Sequence, residues 1–158
     1  MSFKVRDVIV KNVVTVHADY TVKHAASIMS RFGVGCVVVL DDERIEGIVT
    51  ERDMLNRVVA IARDPEKTLV REIMSSPVIV VGPDLALEEA ISLMFDYKIK
   101  KLPVVEKQGG KSILIGLVTL TDIARLQPLL MKTLKELFAQ AGQAPPKSIE
   151  KVINFYVV

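Results

Sequence analysis

The sequence predicts an α/β fold in which two β-α-β-β-α repeats pack with pseudo-two-fold symmetry, followed by a C-terminal helical extension. A glycine, two aliphatic residues, a threonine, two variable residues and an aspartate occur at residues 47–53, the first motif, and again at residues 116–122, the second motif. The sequence upstream matches as well, since residues 5–8 correspond to residues 70–73. Such self-similarity indicates repeated units that bury their apolar faces against each other. Because the unit occurs only twice, we expect two halves that share one core.

The duplication sets the expected domain boundaries. The first repeat should span residues 3–62 and the second residues 70–126, with a polar linker over residues 63–69. Pro65 in the linker lacks an amide donor and disfavours helix at the residue before it. Residues 127–158 have no counterpart in the first repeat and form the C-terminal extension.

Residue periodicity predicts the elements of the first repeat. A strand is expected at residues 13–16, and Asp19 and Thr21 are candidate N-caps of the helix that follows. Gly33 or Gly35 should end this helix. Its expected core face consists of the apolar residues at three- and four-residue spacing, Val22, Ala25, Ala26, Met29 and Phe32.

Two β-rich runs at residues 37–40 and 45–49 predict a hairpin around a polar turn. Helical spacing returns after Thr50 in the apolar residues Met54, Leu55, Val58, Val59, Ile61 and Ala62. The second repeat copies this order, with a strand at 78–81, a helix at 85–97, strands at 102–105 and 113–118, and a helix from 119. The extra residues of the second repeat are expected in a long exposed loop at 106–112.

The C-terminal extension also has an apolar face. Leu130, Leu134, Leu137, Phe138 and Ala141 fit one side of a helix that begins near Pro128. Residues 149–158 are more apolar than an ordinary terminus, and both helix and strand remain open for them. We expect this segment to dock on another surface.

Composition excludes several classes of function. The net charge is only +2, the 21 basic residues are spread along the chain and aromatic residues make up 5%, so nucleic-acid binding is not favoured. No uncharged apolar stretch approaches the ~20 residues that a membrane span needs, and the charged N-terminus does not fit a signal peptide. The single cysteine, Cys36, cannot form a disulfide within the chain. We therefore expect a cytoplasmic protein with no membrane contact.

The repeated motif has two interpretations. A threonine followed three residues later by an acid is the pattern of a helix capping box, which fits Thr50 with Asp53 and Thr119 with Asp122. The same position is also suited to a ligand, because the start of a helix offers N–H groups and positive dipole charge to a phosphate. The carboxylate would then accept hydrogen bonds from a ribose diol.

Two copies of this motif at the ends of two β-α-β-β-α units closely resemble the cystathionine β-synthase (CBS) domain, which occurs in tandem pairs called Bateman modules. The resemblance covers residues 3 to about 126, and residues 76–78 and 102–105 are also typical of the family. It implies a regulatory module rather than an enzyme, without a catalytic cofactor. Its two clefts between the repeats would bind an adenosine compound such as AMP, ADP, ATP or S-adenosylmethionine.

The resemblance assigns ribose recognition to Asp53 and Asp122, and phosphate or ribose contacts to Thr50, Thr119 and Thr121. The remaining residues that it places in the sites line the adenine or lie near the phosphates: Lys11, Asn12, Val13, Ser76, Pro77, Val78, Lys100, Lys101 and Arg52.

The two expected sites differ in charge. Lys100 and Lys101 precede a strand of the second repeat, where their charge suits a polyanionic ligand, whereas the first repeat has Gly35 and Cys36 at the corresponding positions. Arg52 is either a phosphate contact or a solvated helix residue. We therefore expect the second motif to be the stronger phosphate site.

Other candidate residues give weaker indications of function. We expect His17 in a loop and His24 on the polar face of a helix, where neither metal binding nor base catalysis is favoured, and Cys36 is expected to be a small buried hydrophobe. Alternative functions are a ligand-free interaction scaffold, or a regulatory subunit of an enzyme or transporter complex. The apolar helical surface around Leu55 and Val59 also predicts a homodimer.

Overall fold

The computed structural model describes residues 3–126 and, beyond them, residues 128, 132, 136 and 139. The chain divides into two compact units, Met1–Thr119 and Leu120–Val158. The second unit begins with helix α4 (Leu120–Leu126), and its four further described residues are also helical. The predicted apolar face of the extension and the segment 149–158 lie outside the described residues.

A three-stranded sheet forms the centre of the first repeat. The elements in chain order are β1 (Thr15–His17), α1 (Val22–Phe32), β2 (Cys36–Asp41), β3 (Arg44–Thr50) and α2 (Glu51–Met54), which continues as a π-helical turn over Leu55–Val59. Strand β2 lies between β1, which is parallel to it, and β3, which is antiparallel. The predicted β-α-β-β-α order is confirmed, although β1 starts later than expected.

The second repeat keeps this order with a reduced first strand. It contains α3 (Leu87–Asp96), β4 (Lys101–Gln108) and β5 (Lys111–Thr119), and α4 follows in the second unit. The strand predicted at residues 78–81 is wrong, because only Val81 makes a bridge, parallel to Val104. Proline at positions 77 and 83 removes an amide donor on each side of this segment, which limits its pairing.

Helix α1 begins and ends as its sequence predicts. The Thr21 hydroxyl accepts a hydrogen bond from the His24 N–H at 3.2 Å, which caps the first turn. Gly33 adopts a left-handed conformation with φ of 63° and ends the helix. Asp19 is therefore not the cap.

The predicted core face of α1 is partly wrong. Val22, Ala25 and Met29 are buried, whereas Ala26 is exposed and Phe32 is 60% exposed. Phe32 is in the last turn of the helix, where the Cζ atom of Arg31 lies 5.8 Å from its ring centroid. Its ring therefore packs at the surface. The half-buried Ile28 packs against the core in addition to the correctly predicted residues.

The extra residues of the second repeat lengthen its hairpin rather than its loop. Gln108 pairs with Lys111, so the turn has only two residues, Gly109 and Gly110. Their φ values of 57° and 80° are those that such a tight turn requires, and glycine adopts them without strain. The prediction of a long exposed loop at residues 106–112 is therefore wrong.

The leading segment of each repeat, residues 4–10 in the first and 69–75 in the second, is a crossing segment that packs on the other repeat. These contacts are isolated backbone bridges that occur in corresponding pairs. The pairs are Lys4–Ala86 with Thr21–Leu69, and Val10–Leu117 with Ile48–Ser75. The exchange relates the two halves by pseudo-two-fold symmetry.

Ion pairs between the repeats follow the same symmetry. Arg6 Nη2 lies 2.5 Å from Asp84 Oδ1, and the corresponding Arg71 Nη2 lies 2.6 Å from Asp19 Oδ1. The hydrogen bond from Lys4 and the charge of Arg6 lower the pKa of Asp84. The hydrogen bond to Asp19 raises the pKa of Arg71.

One core cluster contains residues of both repeats. Val70 and Ile73, from the leading segment of the second repeat, are fully buried in the core of the first. The first-repeat members of this cluster are Val16, Ala18, Val22, Ala25, Met29, Val37, Val39, Val49 and Val58. The first repeat therefore depends on the second to complete its core, as expected for two halves that share one interior.

Candidate functional site

The glycine of each motif lies against a residue from the leading segment of the other repeat. A Cβ atom on Gly47 would lie 2.5 Å from the sulfur of Met74, and one on Gly116 would lie 2.2 Å from Cγ1 of Ile9. Ile9 and Met74 occupy corresponding positions in the two leading segments. A side chain at either glycine would displace the crossing segment, which accounts for the first residue of the motif.

The threonine and aspartate of the first motif form a capping box. The Thr50 N–H and hydroxyl both donate to Asp53 Oδ2, at 2.8 and 3.1 Å, and the Asp53 N–H lies 3.4 Å from Thr50 Oγ1. The Asp53 side chain is only 12% exposed. Arg52 is exposed on the same helix. The polar groups of Thr50 and Asp53 are thus largely satisfied by each other.

Arg57 is a residue of this region that sequence reasoning missed. Its Nη1 donates to the carbonyl oxygens of Ile73 at 2.7 Å and Met74 at 3.0 Å, and lies 3.6 Å from Asp53 Oδ1. The spacing of an acid and a base four residues apart on a helix could have revealed the ion pair with Asp53. The two carbonyl contacts depend on the crossing segment, for which the local sequence carries no signal.

In the second motif a lysine stands opposite the threonine. Thr119 ends β5 and pairs with Lys101, the first residue of β4, while Lys100 is exposed just before that strand. The structure therefore brings Thr119 together with one residue of the predicted lysine pair. Thr121 and Asp122 lie in the first turn of α4, which belongs to the second compact unit.

The corresponding position in the first repeat has the opposite electrostatic character. There Thr50 pairs with the buried Cys36. The carboxylate of Glu51 lies beside Gly35, since a Cβ atom on that glycine would be 3.3 Å from Glu51 Oε2. The first motif therefore has the acidic Glu51 where the second has the neutral Leu120. The first repeat also has Gly35 and Cys36 where the second has Lys100 and Lys101.

A cleft of about 1080 Å³ lies between the two β-hairpins within the first unit. Lys11, Val13 and Val78, from the two segments predicted to line adenine, all face it. Half of its other lining residues are aliphatic and come from both repeats: Leu40, Ile45, Val80, Val105, Ile113, Leu114 and Ile115. The other half are polar or charged, apart from one glycine: Thr15, Asp42, Glu43, Arg44, Gly110, Lys111 and Ser112. Of the described residues that line the cleft, none belongs to either motif.

The other predicted adenine residues are sequence neighbours of residues that line this cleft. Asn12 is exposed between Lys11 and Val13, and Ser76 and Pro77, joined by a cis peptide bond, are exposed just before Val78. The structure therefore brings residues of both predicted adenine segments to one cleft.

A histidine and two aspartates cluster at the end of β1. His17 is the last residue of this strand, so its predicted place in a loop is wrong. One ring nitrogen of His17 and one carboxylate oxygen each of Asp41 and Asp42 lie within 4.8 Å of one another. Arg71 Nη2 lies 3.6 Å from Asp41 Oδ2 and places a positive charge against this cluster. We therefore assign it to the ion-pair network between the repeats.

Among the described residues, no helix combines the length and apolar character needed to cross a membrane.

The model of the CBS domain family matches residues 5–60 and 70–128. The uncharacterised protein MK0525 of Methanopyrus kandleri is 39% identical over 137 residues, covering 85% of this chain and 68% of that protein. Inosine-5'-monophosphate dehydrogenase of Methanocaldococcus jannaschii is 34% identical over 123 residues, covering 77% of this chain but only 23% of the enzyme.

Solved structures show the same fold. The conserved CBS domain protein TA0289 of Thermoplasma acidophilum aligns with a TM-score of 0.74 and 25% identity, covering 89% of this chain and 78% of that one. Two family matches, one in each repeat, agree with the cross-over of leading segments and with the paired glycine contacts. This chain belongs to the CBS domain family and carries two CBS domains in tandem.

Proposed function

We propose that this chain is a regulatory module that binds an adenosine-containing small molecule and signals its occupancy to a separate partner protein. CBS domains generally serve as regulatory modules for adenosyl ligands, and tandem CBS proteins are typically not catalytic. The proposed ligand is AMP, ADP or ATP, with S-adenosylmethionine as the alternative.

The pairing of Lys101 with Thr119 is the observation that supports this proposal most directly. Lys101 is thereby the cross-strand neighbour of a motif threonine, and Lys100 precedes it in the sequence with a second positive charge. Phosphate groups favour such charge-assisted hydrogen bonds. Following the family resemblance, we assign the phosphates to Thr119, Thr121, Lys100 and Lys101, and the ribose to Asp122.

The adenine would contact the two segments at residues 11–13 and 76–78. Their residues Lys11, Val13 and Val78 share one cleft, about half of whose lining residues are aliphatic, and small-molecule sites typically combine apolar walls with a few polar groups. An adenine ring would pack against the aliphatic part of this lining. The cleft's volume of about 1080 Å³ slightly exceeds the range of roughly 300–1,000 Å³ that is typical of ligand pockets.

A ligand-free scaffold is the second candidate function. The mutual hydrogen bonds of Thr50 and Asp53 favour it, because they account for the first motif as a helix cap without a ligand. A regulatory subunit is a variant of the main proposal. In the dehydrogenase of M. jannaschii the matching region is 23% of a longer enzyme.

We also propose that the chain forms a homodimer through the helical surface after Thr50. Leu55, Val59 and Ile61 are 57%, 69% and 62% exposed, while Val58 between them is buried. Clustered exposed apolar side chains of this kind mark interaction surfaces. Light scattering should give a dimer mass at micromolar concentration, and Leu55→Asp with Val59→Asp should shift it to the monomer mass.

Calorimetric titration of the full chain with AMP, ADP, ATP, S-adenosylmethionine and NAD tests the ligand proposal, with UMP as the control for the base. We expect saturable binding of at least one adenosyl compound and none of UMP. Ligand at a hundred times its Kd should add about 2.7 kcal/mol to the free energy of unfolding. If none of the five compounds bound or raised the melting temperature, the scaffold function would be favoured.

A further inference from the structure

Both carboxylate oxygens of Asp53 are engaged by protein groups. Oδ2 accepts the N–H and the hydroxyl of Thr50, at 2.8 and 3.1 Å, and Oδ1 lies 3.6 Å from Arg57 Nη1. A ribose diol needs two acceptor positions on such a carboxylate. Since the Asp53 side chain is only 12% exposed, the surroundings leave little room for a ligand to reach them.

The same Arg57 connects Asp53 to the second repeat. Its Nη1 donates to the carbonyl oxygens of Ile73 at 2.7 Å and Met74 at 3.0 Å. Ile73 is fully buried in the core of the first repeat, and the Met74 sulfur lies against Gly47. The guanidinium therefore links the aspartate of the first motif to the segment that crosses over from the second repeat.

The negative charge of Glu51, at the start of α2, disfavours an anionic ligand there. Glu51 is part of the first motif, and its carboxylate lies beside Gly35. Like charges at short range repel, so a phosphate near the start of α2 would be placed against this carboxylate. The second motif has Leu120 at this position, and Leu126 stands where the first repeat has Arg57.

We infer that the first motif is a structural tie between the repeats rather than a site for an anionic ligand, and that Arg57 is its positioning residue. Arg57 holds the Asp53 carboxylate and the carbonyls of Ile73 and Met74 in one cluster. It follows that each chain binds one anionic nucleotide rather than two. This stoichiometry rests on the proposed function, whereas the tie itself does not.

A double-mutant cycle on the full chain tests the tie without any ligand. Arg57→Leu introduces the residue of the second repeat, Asp53→Asn removes the charge of its partner, and Arg52→Leu is the matched control on an exposed neighbouring position. We expect the first two changes to lower the midpoint of urea unfolding, and the double variant to lower it by less than their sum. Arg52→Leu should leave the midpoint unchanged.

Arg57→Lys distinguishes the charge of the guanidinium from its hydrogen bonds to the Ile73 and Met74 carbonyl oxygens. Lysine keeps the charge near Asp53 but lacks the fork of donors, so it should recover only part of the lost midpoint. Additive effects of Arg57→Leu and Asp53→Asn would overturn the tie. So would an Arg57→Leu variant as stable as the wild type.

AMP titration of the same variants tests the stoichiometry. We expect the wild type to bind one AMP per chain. Folded Arg57→Leu and Asp53→Asn should bind AMP with a Kd within about twofold of the wild-type Kd, because the first motif does not contact the nucleotide. Two AMP per chain, or a tenfold rise in Kd for folded Asp53→Asn, would overturn the inference. If the wild type bound no AMP, the proposed function would fail for this ligand, and the double-mutant cycle would still decide the tie.

Discussion

The first and second motifs share their glycine, threonine and aspartate but differ in the residues around them. In the first, the threonine pairs with Cys36 and the aspartate lies beside Arg57. In the second, the threonine pairs with Lys101, and Leu126 replaces the arginine. The shared residues explain a glycine contact and the start of a helix, whereas the neighbours decide which copy carries charge suited to a phosphate.

The largest expected effect concerns the two glycines. At Gly116 a Cβ atom would meet the Ile9 side chain at 2.2 Å and the Val10 carbonyl oxygen at 2.9 Å, and this backbone atom cannot move without disturbing the crossing segment. At Gly47 it would meet the flexible side chain of Met74. We expect Gly116→Ala to lower the free energy of unfolding by about 3 kcal/mol and Gly47→Ala by about 1 kcal/mol, measured by urea unfolding.

Ile9→Ala in the Gly116→Ala background provides the control, because it removes the overlapping methyl groups and should restore part of the loss. Equal losses for the two glycine variants would show that the repeats tolerate a side chain equally well at both positions.

The next effect separates the two aspartates. Asp122→Ala should weaken AMP binding by about 1.5–3 kcal/mol, or roughly ten- to more than a hundredfold, because a charge-assisted hydrogen bond to the ligand is lost. Asp53→Ala should weaken it much less and lower thermal stability instead. Titration calorimetry gives the affinities, and melting curves establish that both variants fold. A folded Asp122→Ala variant with wild-type affinity would contradict the assignment of the second motif.

The lysine pair should contribute to the affinity for the phosphate groups and not to the affinity for adenosine. Lys100→Ala with Lys101→Ala should weaken ATP binding about tenfold or more and adenosine binding by less than about threefold, because only charge-assisted contacts are removed. Lys107→Ala, farther along β4, is a matched control for the loss of positive charge. Equal loss for ATP and adenosine would place the lysines in a structural role.

The smallest effect is a pH dependence of the ion pairs between the repeats. The hydrogen bond from Lys4 and the charge of Arg6 depress the pKa of Asp84, so the folded state favours its charged form. Its contribution is fully present above the unfolded pKa of about 3.9 and is lost as the pH falls through the lower folded pKa. The difference in melting temperature between wild type and Asp84→Asn should therefore be greatest near neutral pH and shrink below about pH 4. A constant difference down to pH 2 would contradict it.

The repeat explains how much of the fold could be predicted. Matching motifs and periodicity located both hairpins and the helices α1 to α4, and Thr21 and Gly33 marked the ends of α1. The short 3-10 helices at Val5–Asp7 and Val70–Glu72 were not predicted. The sequence could not show that Gly109 and Gly110 close a longer hairpin, because turn length depends on how far the strands pair. Nor did the spacing of Phe32 reveal that it lies at the surface.

The site was predictable in part for the same reason. Register placed Lys101 beside Thr119 once β4 and β5 were known, and the spacing of Thr50 and Asp53 indicated their capping box. The role of Arg57 depends on contacts with the crossing segment, which is distant in sequence and carries no local pattern. Long-range packing of this kind gives two copies of one sequence motif different surroundings in the structure.

An NMR titration of the ¹⁵N-labelled full chain with AMP tests the difference between the motifs most directly. We expect the largest amide shifts at Lys101, Thr119 and Asp122, with those of Thr50 and Asp53 almost unchanged. Saturation at one AMP per chain with this pattern would support the second motif as the ligand site. Shifts centred on Thr50 and Asp53, with residues 119–122 unaffected, would contradict it.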